Sequence, residues 1–192
     1  MHALPAAPAP APRRQVFVGT ALAGVAAAML MGGMLAVWVL QRERSIDAAG
    51  TWVPDGITIP EVPTNVMLIG IWGLTVFAQW AVYAARRRDK AHTGLALTLV
   101  AVIVIALINA QAFVYNQIEM PIAEGGYPGM FYAVTGTMTA LLVIGLGYTA
   151  VTAFRYLGGR IEDTEIISAH ALHWYILATV FTAVWLIVYV VK

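Results

Sequence analysis

The chain has no cysteine, only two serines, and few charges: 11 Lys/Arg and 10 Asp/Glu among 192 residues. Without cysteine there are no disulfides, thiolate nucleophiles, iron–sulfur clusters or thiolate zinc sites. With serine only at Ser45 and Ser168, a Ser–His–carboxylate arrangement has almost nothing to draw on, and Ser168 sits on a different helix face from the nearby His170. A net charge of +1 supplies no basic face for phosphate, so a nucleic-acid partner is excluded. No GxxxxGK[ST] or GxGxxG follows a strand-like run, which removes phosphate-cradling loops. A soluble surface is excluded too, because charged residues make up 11% of this chain where soluble domains carry roughly 25%.

What is present is apolar: 60% of residues are hydrophobic, and long uncharged runs recur. Five of them, at about 15–41, 65–86, 93–118, 128–157 and 164–191, are each long enough to cross about 30 Å of hydrocarbon as a helix. Continuous apolarity argues against the alternating strands of roughly 10 residues that a barrel needs. The sequence therefore predicts an all-α polytopic membrane protein, a bundle of five transmembrane helices over 15–192. Residues 1–14, MHALPAAPAPAPRR, are Pro/Ala-rich and predict a disordered cytoplasmic tail. The uncharged run that follows is longer than the apolar stretch of a signal peptide.

Basic residues set the orientation. With the N-terminus cytoplasmic, Arg13, Arg14, Arg86, Arg87, Arg88, Lys90, Arg155 and Arg160 lie inside, and only Arg42, Arg44 and Lys192 lie outside. That asymmetry satisfies the positive-inside rule and puts the C-terminus outside. Glu43, Asp47, Asp55 and Glu61 fall in one external loop, and Glu119 and Glu124 in the other. Trp38, Trp52, Tyr115, Tyr127 and Trp185 fall near the outer edges, where an aromatic belt is expected.

No Asp, Glu, Lys or Arg lies well inside any run, whereas transporters and pumps usually place an ionisable group near the midplane. The histidines are His2, His92, His170 and His173, too few and too scattered for paired haem ligands or a three-His copper site. His170 and His173 share a helix face at i, i+3, which is half a metal site, and the other half is missing. No catalytic, cofactor-binding or metal-binding residue is expected. Glu162, Asp163 and Glu165 precede the fifth run, where acidic residues cap a helix N-terminus or, clustered beside a membrane, form a proton-collecting patch. Gln79, Asn109, Gln111, Asn116, Thr135, Thr137 and Thr139 are polar residues inside runs, and such groups seek helix partners. Ala28, Gly32 and Ala36 recur every four positions, as do Gly129 and Ala133, which permits close backbone approach.

Several segments in order resemble the subunit III family of haem–copper oxidases, cytochrome c oxidase subunit 3. TWVPDGITIPEVPTN is similar to the family's Trp–Pro-rich external loop, and VYAARRRDK to its basic turn. INAQAFVYNQI resembles the Gln…Tyr exit of the next span, FYAVTGTMTALLVIGLGY the Thr–Gly segment, and HWYILATVFTAVWLIVYVVK the terminal helix. The polar motifs depart from the family. Its membrane glutamate falls at about Ala27, the two histidines after Thr–Gly are Met138 and Leu141, and the residues after Trp174 are Tyr175, Ile176, Leu177 and Ala178.

The resemblance implies a non-catalytic subunit of a bacterial plasma-membrane terminal oxidase. Haem and copper would be held by partner subunits, subunits I and II and membrane phospholipids would be its partners, and a respiratory supercomplex its wider assembly. Candidate subunit or lipid interface residues are Gln79, Asn109, Gln111, Tyr115, His170, His173 and Trp174. Two alternatives stand beside it: an accessory subunit III-like protein of nitric oxide reductase, and a small transporter or channel component.

Overall fold

The computed structural model describes residues 14–118, 120–121 and 126–191. Residues 1–13 of the expected disordered tail lie outside the described residues, as do Glu119, Glu124 and Lys192. Five helices run in order: α1 Gln15–Ala49, α2 Glu61–Arg86, α3 Lys90–Ile118, α4 Gly126–Leu157 and α5 Thr164–Val184, the last continued by a π-helical turn, Trp185–Val190. All five are long and apolar enough to span a membrane. Among the described residues there are no strands.

Helix limits and membrane limits differ most in α1. The sequence places the end of the span near residue 41, but helix-compatible Gln41–Asp47 carries the helix on to Ala49. It stops where Gly50 adopts φ 73° and donates its N–H to Ile46 O. Glycine tolerates this left-handed conformation without a Cβ clash. At about 1.5 Å per residue, α1 is roughly 52 Å long and overshoots the hydrocarbon by several turns.

The α2–α3 connection is very short. Asp89 N–H bonds Ala84 O at 3.0 Å and Arg88 N–H bonds Ala85 O at 2.9 Å, a Schellman closure of α2 with Arg88 at φ 58°. Asp89 then caps α3, its Oδ1 accepting the His92 N–H at 3.0 Å. One residue thus closes one helix and opens the next. This exposed carboxyl is held below the ordinary value of 3.8, first by that backbone N–H and further by the His92 ring.

Helix α5 is central: it packs against α1, α2 and α4, while α3 packs against α2 and α4. Large side chains fill the seams, with Met31, Ile71, Leu74, Leu97, Phe131, Leu142, Trp174 and Phe181 all buried. Close approach is required at two glycines. A Cβ on Gly24 would run into Ile176, and one on Gly145 would lie 2.6 Å from the Trp174 ring. The expected stripe at Ala28, Gly32 and Ala36 does not make the internal contact on α1. Gly24, Met31, Leu35 and Trp38 do, and Gly32 and Ala36 face outward.

Candidate functional site

Polar groups gather in four places. On the α4–α5 seam, His170 is fully buried and its Nε2 lies 2.9 Å from both Thr149 Oγ1 and Trp174 Nε1. Thr149 Oγ1 also lies 2.9 Å from Gly145 O, so its one hydroxyl proton is shared between that carbonyl and the imidazole, beside the glycine against which Trp174 packs. The Tyr148 ring stands edge-on to both His170 and His173.

A cavity of about 520 Å³ opens between α1, α4 and α5, lined among others by Thr20, Ala23, Ala27, Ile144, Tyr148 and His173. Tyr148 and Thr20 hydroxyls bond each other at 3.1 Å, and His173 Nε2 is buried without a partner. Ala27, where the resemblance puts a glutamate, is one wall of this cavity. The imidazoles do not fit a haem or copper: His170 Nε2 is engaged by Trp174, and among the described residues no three His, Asp or Glu groups converge.

Toward the end of the bundle where α3 finishes and α4 begins, Tyr189 donates to Gln111 Oε1 at 3.0 Å, and Tyr115 donates to Thr135 Oγ1 at 2.8 Å. Three of the five residues expected in an aromatic belt are turned inward. Trp38, Trp52 and Tyr127 are buried and packed on one another, with ring centroids 5.2–5.4 Å apart, so they form a core cluster where the sequence suggested an outward ring. The signal they carry is aromatic size, which serves a buried seam as well as an interface.

At the opposite end, the acidic residues around the start of α5 are each engaged. Glu162 pairs with Arg88 at 3.1 Å, Asp163 pairs with Arg155 at 2.7 Å, and Glu165 Oε1 accepts the Phe17 N–H at 3.0 Å. Asp163 occupies the N-cap position of α5 but its side chain makes no cap bond. The carboxylates therefore tie α5 to the α2–α3 turn, to the end of α4 and to the start of α1.

Of the sequence-nominated interface residues, Gln111, His170 and Trp174 are buried, and with half-buried Tyr115 they bond within the chain. Gln79 and Asn109 face outward. Asn109 folds back onto Ile105 O at 2.9 Å, while Gln79 accepts from Tyr175 across the α2–α5 seam at 3.3 Å. Sequence reasoning did not single out Thr149, Tyr148 or Thr20, because short polar residues within apolar runs give no sign of which helix they will meet.

A family model described as cytochrome c oxidase subunit III matches residues 17–192. A Rickettsia bellii protein described as a probable cytochrome c oxidase subunit 3 is 29% identical over 147 residues, covering 72% of this chain and 49% of that protein. Cytochrome c oxidase subunit 3 of Oncorhynchus clarkii is 28% identical over 150 residues, covering 75% of this chain and 55% of the relative. That of Prototheca wickerhamii is 25% identical over 135 residues, covering 68% and 51%. The chain spans about half the length of these curated relatives.

Proposed function

The chain belongs to the cytochrome c oxidase subunit III family, and from that premise we propose that it is the non-catalytic subunit III of a bacterial haem–copper terminal oxidase. In this reading it sits in the plasma membrane beside subunits I and II, stabilises subunit I and contacts phospholipid. Haem and copper belong to the partners, and electrons pass from the donor to dioxygen without using a group of this chain.

The observation that carries the reading is the match across nearly the whole five-helix bundle, joined to the helix–helix bonds made by Tyr115, His170 and Gln111. The basic residues support a cytoplasmic N-terminus. The start of α1, the α2–α3 turn and the α4–α5 turn meet at one end through the Glu165–Phe17, Arg88–Glu162 and Arg155–Asp163 contacts, and that end carries Arg86, Arg87, Arg88, Lys90, Arg155 and Arg160. Gln79 and Asn109 are the outward residues proposed for subunit contact. Gln111, Tyr115, His170 and Trp174 are proposed to hold the seams behind that surface, with His173 on the apolar cavity where lipid is proposed to sit. Glu162, the most exposed of the acidic trio, is where proton collection is proposed to start.

The test is purification of the tagged chain from native membranes in mild detergent, with mass spectrometry of the co-purifying chains and a reduced-minus-oxidised spectrum. Haem bands together with oxidase subunits I and II are expected. Nitric oxide reductase subunits in their place, or a colourless chain that conducts a solute in liposomes, would overturn the proposal.

A further inference from the structure

Helices α1 and α2 each pack on α5 and leave open between them the α5 face that carries Tyr175, Thr179 and Leu186, all exposed. On α1, the cavity residues Thr20 and Ala27 fall to one flank of Gly24, the point of contact with Ile176, and Ala28 and Gly32 fall to the other. That second flank borders the open α5 face. The opposite border is the α2 row Trp72, Val76, Gln79 and Tyr83, every one exposed.

This groove is polar where a lipid-facing surface should not be. Three hydrogen bonds climb its α2–α5 side: Tyr175 to Gln79 at 3.3 Å, Trp72 to Thr182 at 3.0 Å and Trp185 to Asn65 at 3.0 Å. Gln79 lies seven residues from Arg86, about 10 Å along the helix from its basic end and within the hydrocarbon depth. Its amide oxygen accepts from Tyr175, and its amide nitrogen has no hydrogen-bond partner among the described residues. An amide donor left unpaired in hydrocarbon is costly, and lipid tails offer no acceptor. The outer face of α4 is different: Ala140, Val143, Ile144, Gly147, Val151 and Phe154 are exposed there, and none has a hydrogen-bonding side chain.

We propose that the groove floored by α5, between α1 and α2, docks a membrane-spanning helix of a partner polypeptide that presents an oxygen acceptor at the level of Gln79. The α4 face is the lipid face. Small Gly32, at which an added Cβ would meet nothing within 4 Å, lets the incoming backbone lie close. The proposal rests on the reading of the chain as an assembly subunit and specifies which surface assembles.

The absence of cysteine makes a direct test possible. Val76→Cys, Thr179→Cys and Gly32→Cys on the groove, and Val151→Cys on α4, are each labelled with benzophenone maleimide in native membranes, illuminated, and the adducts sequenced. Groove positions are expected to give adducts to a membrane segment of one co-purifying oxidase subunit, with the yield lowered several-fold by Gln79→Leu, while Val151→Cys gives lipid adducts. Lipid-only adducts from the groove, adducts to a second copy of this chain, or protein adducts from Val151→Cys would overturn it. Co-purification is scored in the unilluminated sample. Its loss in the unmutated chain counts against the functional reading, and its retention alongside lipid-only groove adducts counts against the groove alone.

Discussion

Trp174 reaches back one helical turn and donates its indole N–H to His170 Nε2 at 2.9 Å. An indole nitrogen can only donate, so His170 accepts at Nε2 and carries its proton on Nδ1. The two rings and the Thr149 hydroxyl make one buried polar unit on an otherwise apolar seam. Its role is to fix how α4 and α5 register, since Thr149 is the member on α4 and a one-turn slip would carry its hydroxyl away from the His170 and Trp174 nitrogens.

That unit predicts energetic coupling. Thr149→Val and Trp174→Phe keep most of the volume and remove one polar group each, and each is expected to cost about 0.6–2 kcal/mol in reversible unfolding from mixed micelles. The double variant should fall short of the sum by about 0.5 kcal/mol or more, because both act on the same imidazole. Strict additivity in the double-mutant cycle would show that the three groups do not work together.

The two tight glycines should respond differently to alanine. Trp174 is buried and pinned by its bond to His170, so Gly145→Ala forces a rigid ring to move and is expected to cost about 1–3 kcal/mol. At Gly24 the obstructing atom is the tip of the half-buried Ile176, which borders a cavity and can rotate away. Gly24→Ala is therefore expected to lower the thermal midpoint less than Gly145→Ala, and the reverse order would contradict this account of the seams.

Glu165 should act on a helix other than its own. Removing its carboxylate with Glu165→Ala deprives the Phe17 N–H of its acceptor, a cap loss of about 0.5–2 kcal/mol. Hydrogen exchange at the Phe17 amide is expected to speed up while amides in the middle of α5 keep their protection. Unchanged exchange at Phe17 would mean that the contact does not hold in the membrane.

The α2–α3 turn should weaken in acid. The Asp89 carboxyl lies below its ordinary value in the folded chain, so the folded state binds its proton less readily than the unfolded state does. Its contribution is present in full above the ordinary aspartate value and is lost as pH falls through the lowered folded value. The stability gap between the native chain and Asp89→Ala is thus expected to be constant near neutrality and to close below about pH 4. A gap independent of pH would assign the effect to backbone propensity in place of the charged cap.

The number, order and approximate limits of the helices were legible in the sequence, because runs uninterrupted by charge are long enough for only one kind of spanning structure. Their neighbours were not legible. Helices that are apolar on every side give no periodic sign of which face turns inward, so Ala28, Gly32 and Ala36 read as an internal seam although Gly24 makes the contact. His170 and Trp174 were singled out as polar and aromatic residues in a span, but their partner Thr149, 21 residues before His170, becomes visible only once α4 and α5 are set side by side. Glu162, Asp163 and Glu165 read as one patch since they adjoin in the chain; folding sends them to three different elements.

The Glu165–Phe17 bond spans 148 residues, and it has a consequence for manufacture. A ribosome delivers α1 to the membrane long before residue 165 exists, so the entry of the first helix waits, with a bare amide, until the fifth has been translated and inserted. A nascent chain arrested in α4 would hold every preceding span and still present an open end. The contact thus dates the closure of the first helix to the arrival of the fifth, and every shorter intermediate leaves the Phe17 N–H to water.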